Sequence, residues 1–349
     1  MLRDLGYVSV LLLTWTAGVP AQKVVSIPAT PACAKCAVQL SAVARLGNAD
    51  DPAGFGFLAY VVRTGRGQFL VSSDPFIGEI FVYDRSGKFV RSIGRRGGGP
   101  GEFNGTARLV VDAQDTVRAV EAGLRYHVIA PDHTIKRSTQ LGGRVVDLVA
   151  EPDGKLFAAT QGTVGAEVTT LSFFDLAGQR SKTFGNLPSS SSLDEQRRHV
   201  AIGPNGNRWS LSPANYVLER WLPDGTSAQK LTADRDWLRE TNQPAGDARE
   251  RKPPNRLRGL LVDAQGRLYV FVIVADANWK PIGQNPDPEP NKVFDTLIEV
   301  IDPKAGTLLA RTRVDLIVMP MHGTFAYSTL EDDVGERRLQ VWNVSLLQR

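Results

Sequence analysis

The sequence predicts an all-β fold, a six-bladed β-propeller, on three observations. Short apolar runs of strand length alternate with Gly, Asn and Asp turns along nearly the whole chain. Two kinds of hairpin follow one another with a period near 45 residues. The last unit is one strand short, and an N-terminal segment has the right pattern to supply it.

The first hairpin type is an apolar strand, a tight polar turn and a second strand. It occurs at 109–117, 148–157, 200–209 and 260–269, with Asp153-Gly154 and Asn205-Gly206 at two of the turns. Such pairs mark hairpins because Gly, Asn and Asp tolerate positive φ. The second type is clearest at 80–94 (IFVYDRSGKFVRSIG) and recurs at 127–133, 171–184, 217–231 and 297–314. Its turn positions 87, 133, 178 and 225 are 46, 45 and 47 residues apart, and the next, at 306, follows two insertions.

One hairpin of each type makes a four-stranded antiparallel blade. Blades are expected to begin near Phe57, Arg108, Val145, His199, Arg258 and Gly323. The sixth has strands near 323–330 and 337–346 and then runs out of chain. The segment 38–47 (VQLSAVARLG) resembles the fourth strand at 88–94 (KFVRSIG), so the N-terminal strand is expected to complete the last blade. Closure of this kind leaves no open ring edge.

The hairpin at 80–94 runs directly into RRGGGPGEF at 95–103. This stretch resembles the NHL-repeat and related bacterial six-bladed (TolB-like) propellers, whose repeats join a strand ending in Gly to a Gly-Pro-Gly-Glu-Phe-like loop. The motif is clear once, and the other blades match by turn and strand pattern. The resemblance implies a propeller scaffold. RNA binding, which it also brings to mind, fits poorly with an exported chain of mixed charge.

Composition narrows the class further. Hydrophobic residues make up 42% of the 349 positions and charged residues 22%, which excludes a disordered protein. Only 2 Cys, 3 Met and 4 His are present, which excludes a disulfide-built fold and speaks against a rich metal centre. The net charge of +4 is spread along the chain, so a nucleic-acid surface is not expected.

Residues 1–22 read as a signal peptide: Arg3, an apolar run at 6–19, then Val19-Pro20-Ala21 before Gln22. That run is shorter than the ~20 residues of a membrane span. A secreted or periplasmic protein is expected, monomeric and without a membrane span after cleavage; an uncleaved anchor is the alternative. Residues 23–37 form an N-terminal extension, and 38–349 the propeller domain. The extension carries Cys33 and Cys36, a C-x-x-C that outside the cytoplasm reads as a local disulfide. The alternatives are weaker. A redox pair lacks a βαβ setting, Ala37 stands where haem attachment needs His, and zinc would need two more ligands.

Function is expected on one face. The turns within hairpins are short, whereas the connections at 94–106, 185–198, 233–256 and 275–293 are long and lie on the other side. Counting back seven or eight residues from each inner turn puts Arg108, Arg198, His199 and Arg258 at the mouth of the central channel on that side. His322 precedes the expected sixth inner strand and Arg144 the third. Arg95, Arg96 and the N–H groups of the Gly-rich loop add a candidate anion nest. The predicted ligand-binding set is therefore Arg95, Arg96, Arg108, Arg144, His199, Arg258 and His322, suited to a small anionic ligand or a protein partner because guanidinium binds carboxylate and phosphate in two-point fashion. The competing reading pairs these cations with acids such as Asp147 and Glu102.

A hydrolase or lyase with a central-channel site, metal-dependent or not, is the alternative class. No Gly-x-Ser-x-Gly elbow, P-loop or dinucleotide fingerprint is present in its proper context. No cofactor is expected and no metal ligands are assigned. Ca²⁺ would find oxygen donors at Asp276, Asn278, Asn285, Asp287, Glu289 and Asn291, although the prolines at 281, 286, 288 and 290 suit a stiff exposed loop. The stretch 234–241 (DRDWLRET) is expected to form a short helix.

Overall fold

The computed structural model describes residues 22–47, 51, 55–56, 59–73, 78–121, 125–141, 144–161, 168–239, 251–281 and 289–348. Residues 1–21 of the predicted signal segment, Phe57, Asn285 and Asp287 lie outside the described residues. Two strands come first, β1 (Lys23–Ser26) and β2 (Cys36–Leu46). Blade 1 is β3 (Ala59–Arg63), β4 (Phe69–Ser73), β5 (Ile80–Tyr83) and β6 (Phe89–Ile93). Blade 2 is β7 (Ala107–Val111), β8 (Val117–Glu121), β9 (Arg125–Ile129) and β10 (Ile135–Gln140). Blade 3 is β11 (Val145–Ala150), β12 (Leu156–Thr160), β13 (Val168–Phe174) and β14 (Arg180–Leu187). Blade 4 is β15 (His199–Ile202), β16 (Arg208–Ser212), β17 (Val217–Trp221) and β18 (Ser227–Thr232). Blade 5 is β19 (Arg256–Val262), β20 (Leu268–Ala275), β21 (Phe294–Asp302) and β22 (Thr307–Val314). Blade 6 is β23 (Met319–Pro320), β24 (Phe325–Glu331), β25 (Arg337–Gln348) and, outermost, β2.

The hairpin turns explain the repeat. An Asp opens most of them and its carboxylate accepts the N–H groups two and four residues on, as Asp84 does from Ser86 and Lys88. Asp112, Asp175, Asp263 and Asp332 make the same pair of bonds. The residue that then turns the chain needs positive φ, which Gly supplies at 87, 154, 178, 225 and 266 and Asp115 and His133 adopt in blade 2. At Gly87 the demand is double: φ is +91°, and a Cβ would sit 2.1 Å from the Arg45 carbonyl oxygen.

The core is divided into six apolar seams, one between each pair of neighbouring blades. Strands second from the centre are covered on both faces, so β4, β8, β12 and β20 are buried throughout. β20 accordingly reads LYVFVIVA with no alternation, where a half-exposed strand would alternate. The seam between blades 6 and 1 closes the ring: Leu46 and Ala44 of β2 pack with Phe69, Phe81 and Tyr83 of blade 1. Tyr327 of β24 adds a polar clasp, its hydroxyl meeting both the N–H and the C=O of Ala59.

Two features depart from expectation. The innermost strand of blade 6 is Met319–Pro320, ahead of the expected start at 323, and only two residues long. No Asp-Gly or Asn-Gly turn marks it, and Pro320 offers no N–H to extend the ladder. The segment 23–37 is built into the fold and is not an appendage: β1 pairs in parallel with β18 as a fifth strand of blade 4, and Ile27 is buried in the seam between blades 4 and 5. As expected, Cys33 and Cys36 form a disulfide, which ties the first residue of β2 to the segment before it. The expected helix at 234–241 is present as Asp236–Arg239.

Behind β1 lies a buried ionic cluster. Glu299 on β21 accepts from the Tyr216 hydroxyl at 2.6 Å, from Arg235 Nε at 3.0 Å and from Arg311 Nε at 2.8 Å. Arg235 also donates to the Ile27 carbonyl. One carboxylate thus joins blades 4 and 5 and the N-terminal strand.

Candidate functional site: the central channel

The six inner strands line a cavity of about 470 Å³ along the ring axis. Each inner strand enters it from the face with long connections, called here the loop face, and leaves at the face of the short turns. Apolar side chains such as Val62, Val110 and Leu260 line its middle. Ionisable groups collect near the loop-face mouth: Arg108 from β7, Asp147 from β11, His199 from β15 and Arg258 from β19.

Asp147 organises this mouth. Its Oδ1 accepts from the N–H of Leu148 at 3.0 Å and its Oδ2 from the N–H of Val200 on the next blade at 3.1 Å. The same carboxylate lies 3.9 Å from Arg108 Nη1 and 3.4 Å from His199 Nδ1. One acid therefore touches groups of three consecutive blades. Arg108 is further held over the Tyr60 ring, 4.7 Å from its centroid, a cation–π contact.

Arg258 is different. It is half-buried and has no acidic or hydrogen-bonding partner among the described residues. Burial, and then the neighbouring charges of Arg256 and Arg197, hold its guanidinium below the usual arginine range. A cation in such surroundings favours any arriving anion.

The remaining predicted residues are placed elsewhere. Arg95 is exposed and paired with Glu102 at 2.8 Å, and Arg96 is exposed on the same loop. The Gly-rich loop does bind an anion, its own: Glu102 Oε2 accepts the Gly99 N–H at 2.7 Å. That bond first, and Arg95 second, hold the Glu102 carboxyl below its usual range. Arg144 is exposed and does not line the channel. Arg198 is buried and spends its guanidinium on the Glu195 and Arg197 carbonyls and the Ser212 hydroxyl.

His322 lines the channel at the opposite end from the one expected. It sits in the turn between β23 and β24, beside Arg63 at the end of β3. The short β23 shifts the register of blade 6, so a residue expected before the inner strand follows it. Desolvation pushes the His322 imidazole down to about 4. Sequence reasoning missed Asp147 as the organiser and named it only as a competing partner for the arginines. A β-bulge between Val145 and Asp147 sets its position, and no local pattern announces it.

A family profile described as a 6-bladed beta-propeller matches residues 62–128, the span from blade 1 into β9 of blade 2. No curated protein matches the chain at significant similarity. Among solved structures, the chain is similar to a protein of unknown function from Bacteroides caccae, with 10% identity, 75% of this chain and 82% of that chain covered, and a TM-score of 0.45. Virginiamycin B lyase from Staphylococcus aureus gives 10% identity, 88% and 99% coverage and a TM-score of 0.48. A streptogramin B lyase structure gives 10% identity, 89% and 98% coverage and a TM-score of 0.48. The six sheets, five of four strands and one extended to five by β1, and the profile match together make the chain a six-bladed β-propeller.

Proposed function

We propose that the protein binds a small anionic ligand, carboxylate- or phosphate-bearing, at the loop-face mouth of the central channel. The observation that carries this reading is Arg258, a half-buried guanidinium with no acidic partner among the described residues. Arg108 stands on the neighbouring rim, only loosely engaged by Asp147 at 3.9 Å. The apolar walls below would take the ligand's body, as in small-molecule sites generally. A place outside the cytoplasm belongs to the same reading, and the Cys33–Cys36 disulfide supports it.

Thermal-shift measurement against a panel of mono- and dicarboxylates and organic phosphates tests the site. At least one should raise the melting midpoint of the wild-type protein. Arg258→Glu should weaken that ligand at least tenfold, the scale of ~1.4 kcal/mol or more expected for a lost charge-assisted contact. A ligand that binds Arg258→Glu and Arg108→Glu as tightly as wild type sinks the proposal.

A second reading, channel chemistry of the hydrolase or lyase kind, is favoured by one contact. Asp147 lies 3.4 Å from His199 Nδ1, the relation that orients an imidazole as a general base. Turnover of a bound panel member, lost in His199→Gln while binding persists, would select this reading over binding alone.

A further inference from the structure

We propose that Asp276, Asp295 and Asp315 form a Ca²⁺ site on the loop-face edge of blade 5. Asp276 follows β20, Asp295 is the second residue of β21, and Asp315 follows β22. Pairing of Val274 with Asp295 and of Thr296 with Val314 brings these three strand ends side by side. One carboxylate oxygen from each residue lies within 4.8 Å of those of the others.

Like charges on adjacent strands repel and destabilise a sheet. Among the described residues one guanidinium bonds the cluster, that of Arg313, which donates to Asp295 Oδ2 and to the Ala275 carbonyl; the Ala277 N–H also reaches Asp295 Oδ2 at 3.2 Å and the Asn278 N–H reaches Asp276 Oδ1 at 2.6 Å. Asp295 is only 2% exposed, and its second oxygen, Oδ1, is buried without any hydrogen-bond partner. The Asp295 carboxylate, which converges with those of Asp276 and Asp315, thus keeps one buried oxygen without a donor, and a bound cation is what resolves such an arrangement. The donors are all hard oxygens, which select Ca²⁺ or Mg²⁺ over softer metals. Oxygens that all lie within 4.8 Å of one another can share the shell of one Ca²⁺, whose ligands at ~2.3–2.6 Å leave trans oxygens about 4.6–5.2 Å apart. Mg²⁺ would demand a tighter octahedron at ~2.1 Å. Waters and nearby backbone carbonyls would fill the remaining positions of the 6–8 that Ca²⁺ takes.

Of the oxygen-rich stretch noted in the sequence, this set retains only Asp276. Asp295 and Asp315 lie 19 and 39 positions further on and come to it through strand register. None of the three lines the central channel, so the site stands apart from the proposed ligand mouth.

The test is calorimetric titration of EGTA-treated full-length protein with CaCl₂ and, separately, MgCl₂, alongside thermal melts. Wild type should take up one equivalent of Ca²⁺ and melt higher when loaded. Asp315→Asn, at an exposed position, should weaken uptake at least tenfold without loss of fold, and Asp276→Asn with Asp315→Asn should abolish it. No Ca²⁺ uptake by wild type at millimolar concentration, equal affinity in Asp315→Asn, or tighter binding of Mg²⁺ than of Ca²⁺ would each overturn the proposal.

Discussion

Replacing Glu299 with Gln should cost the protein about 3–5 kcal/mol of stability, the range for breaking a buried ion pair by removing one partner. The structure says why. Glu299 is fully buried, and it is the shared acceptor for Tyr216, Arg235 and Arg311. Arg311 is 29% exposed at its side chain and can turn to water when the carboxylate goes. Arg235, at 1%, cannot, and it would be left as an uncompensated charge in the seam between blades 4 and 5. The amide nitrogen of Gln would also point a donor at guanidinium donors. Urea unfolding followed by tryptophan fluorescence should show a lower midpoint with an unchanged slope. Adding Arg235→Met to Glu299→Gln should recover part of the loss, because the buried charge is then gone. A loss below ~1 kcal/mol, or a double variant less stable than the single, would refute the account. The solvent-exposed Lys155–Asp153 pair is the control, and Lys155→Ala should leave the midpoint unmoved.

Two further predictions address closure and pH. Leu46→Ala empties a fully buried position in the seam that joins the N-terminal strand to blade 1, and should cost about 2–5 kcal/mol, whereas Val334→Ala, 80% exposed, should be neutral; chemical denaturation reads both. His322 is held near 4 in the folded protein against 6.5 when unfolded, so the unfolded chain binds the extra proton. Stability from this group is whole above pH 6.5 and is lost as pH falls toward 4, by at most about 3 kcal/mol. His322→Gln should flatten that part of the stability profile measured between pH 7.5 and 4, and an identical slope in both proteins would remove the explanation.

Much of the architecture is legible in the sequence because its determinants are local. An Asp that caps its own turn and a Gly that accepts positive φ act within five residues, as at Asp84 to Lys88. Both can therefore be read as punctuation. The closing strand is legible for a related reason: β2 carries the same outermost-strand pattern as β6, and the sixth unit visibly lacks one. Blade 6 was harder, because Met319–Pro320 is too short to show a period and lacks the turn signal of its counterparts.

The candidate site was legible only as a set of positions. Counting along inner strands brought Arg108, His199 and Arg258 to one mouth, where the cavity has them. It could not say which cations were already satisfied. Glu102 folding back onto Gly99 and Arg95 is a loop contact. Asp147 reaching Val200 depends on how two blades abut, and the same is true of β1 settling on β18.

By itself, then, the sequence determined the strands, their turns, the six-fold repetition and the means of closing the ring, because each rests on short-range turn chemistry or on the continuous burial of a strand. Only the tertiary structure decided which charges are spent and which are free. Asp147 is committed to three blades, Arg258 is left without an acid among the described residues, and Asp276, Asp295 and Asp315 converge from three strand ends. Each of these depends on register, on bulges such as those at Val145/Asp147 and Leu257/Gly259, and on how neighbouring sheets meet. Coulomb interactions act over a few ångströms in space, and in a propeller those ångströms separate residues tens of positions apart in the chain.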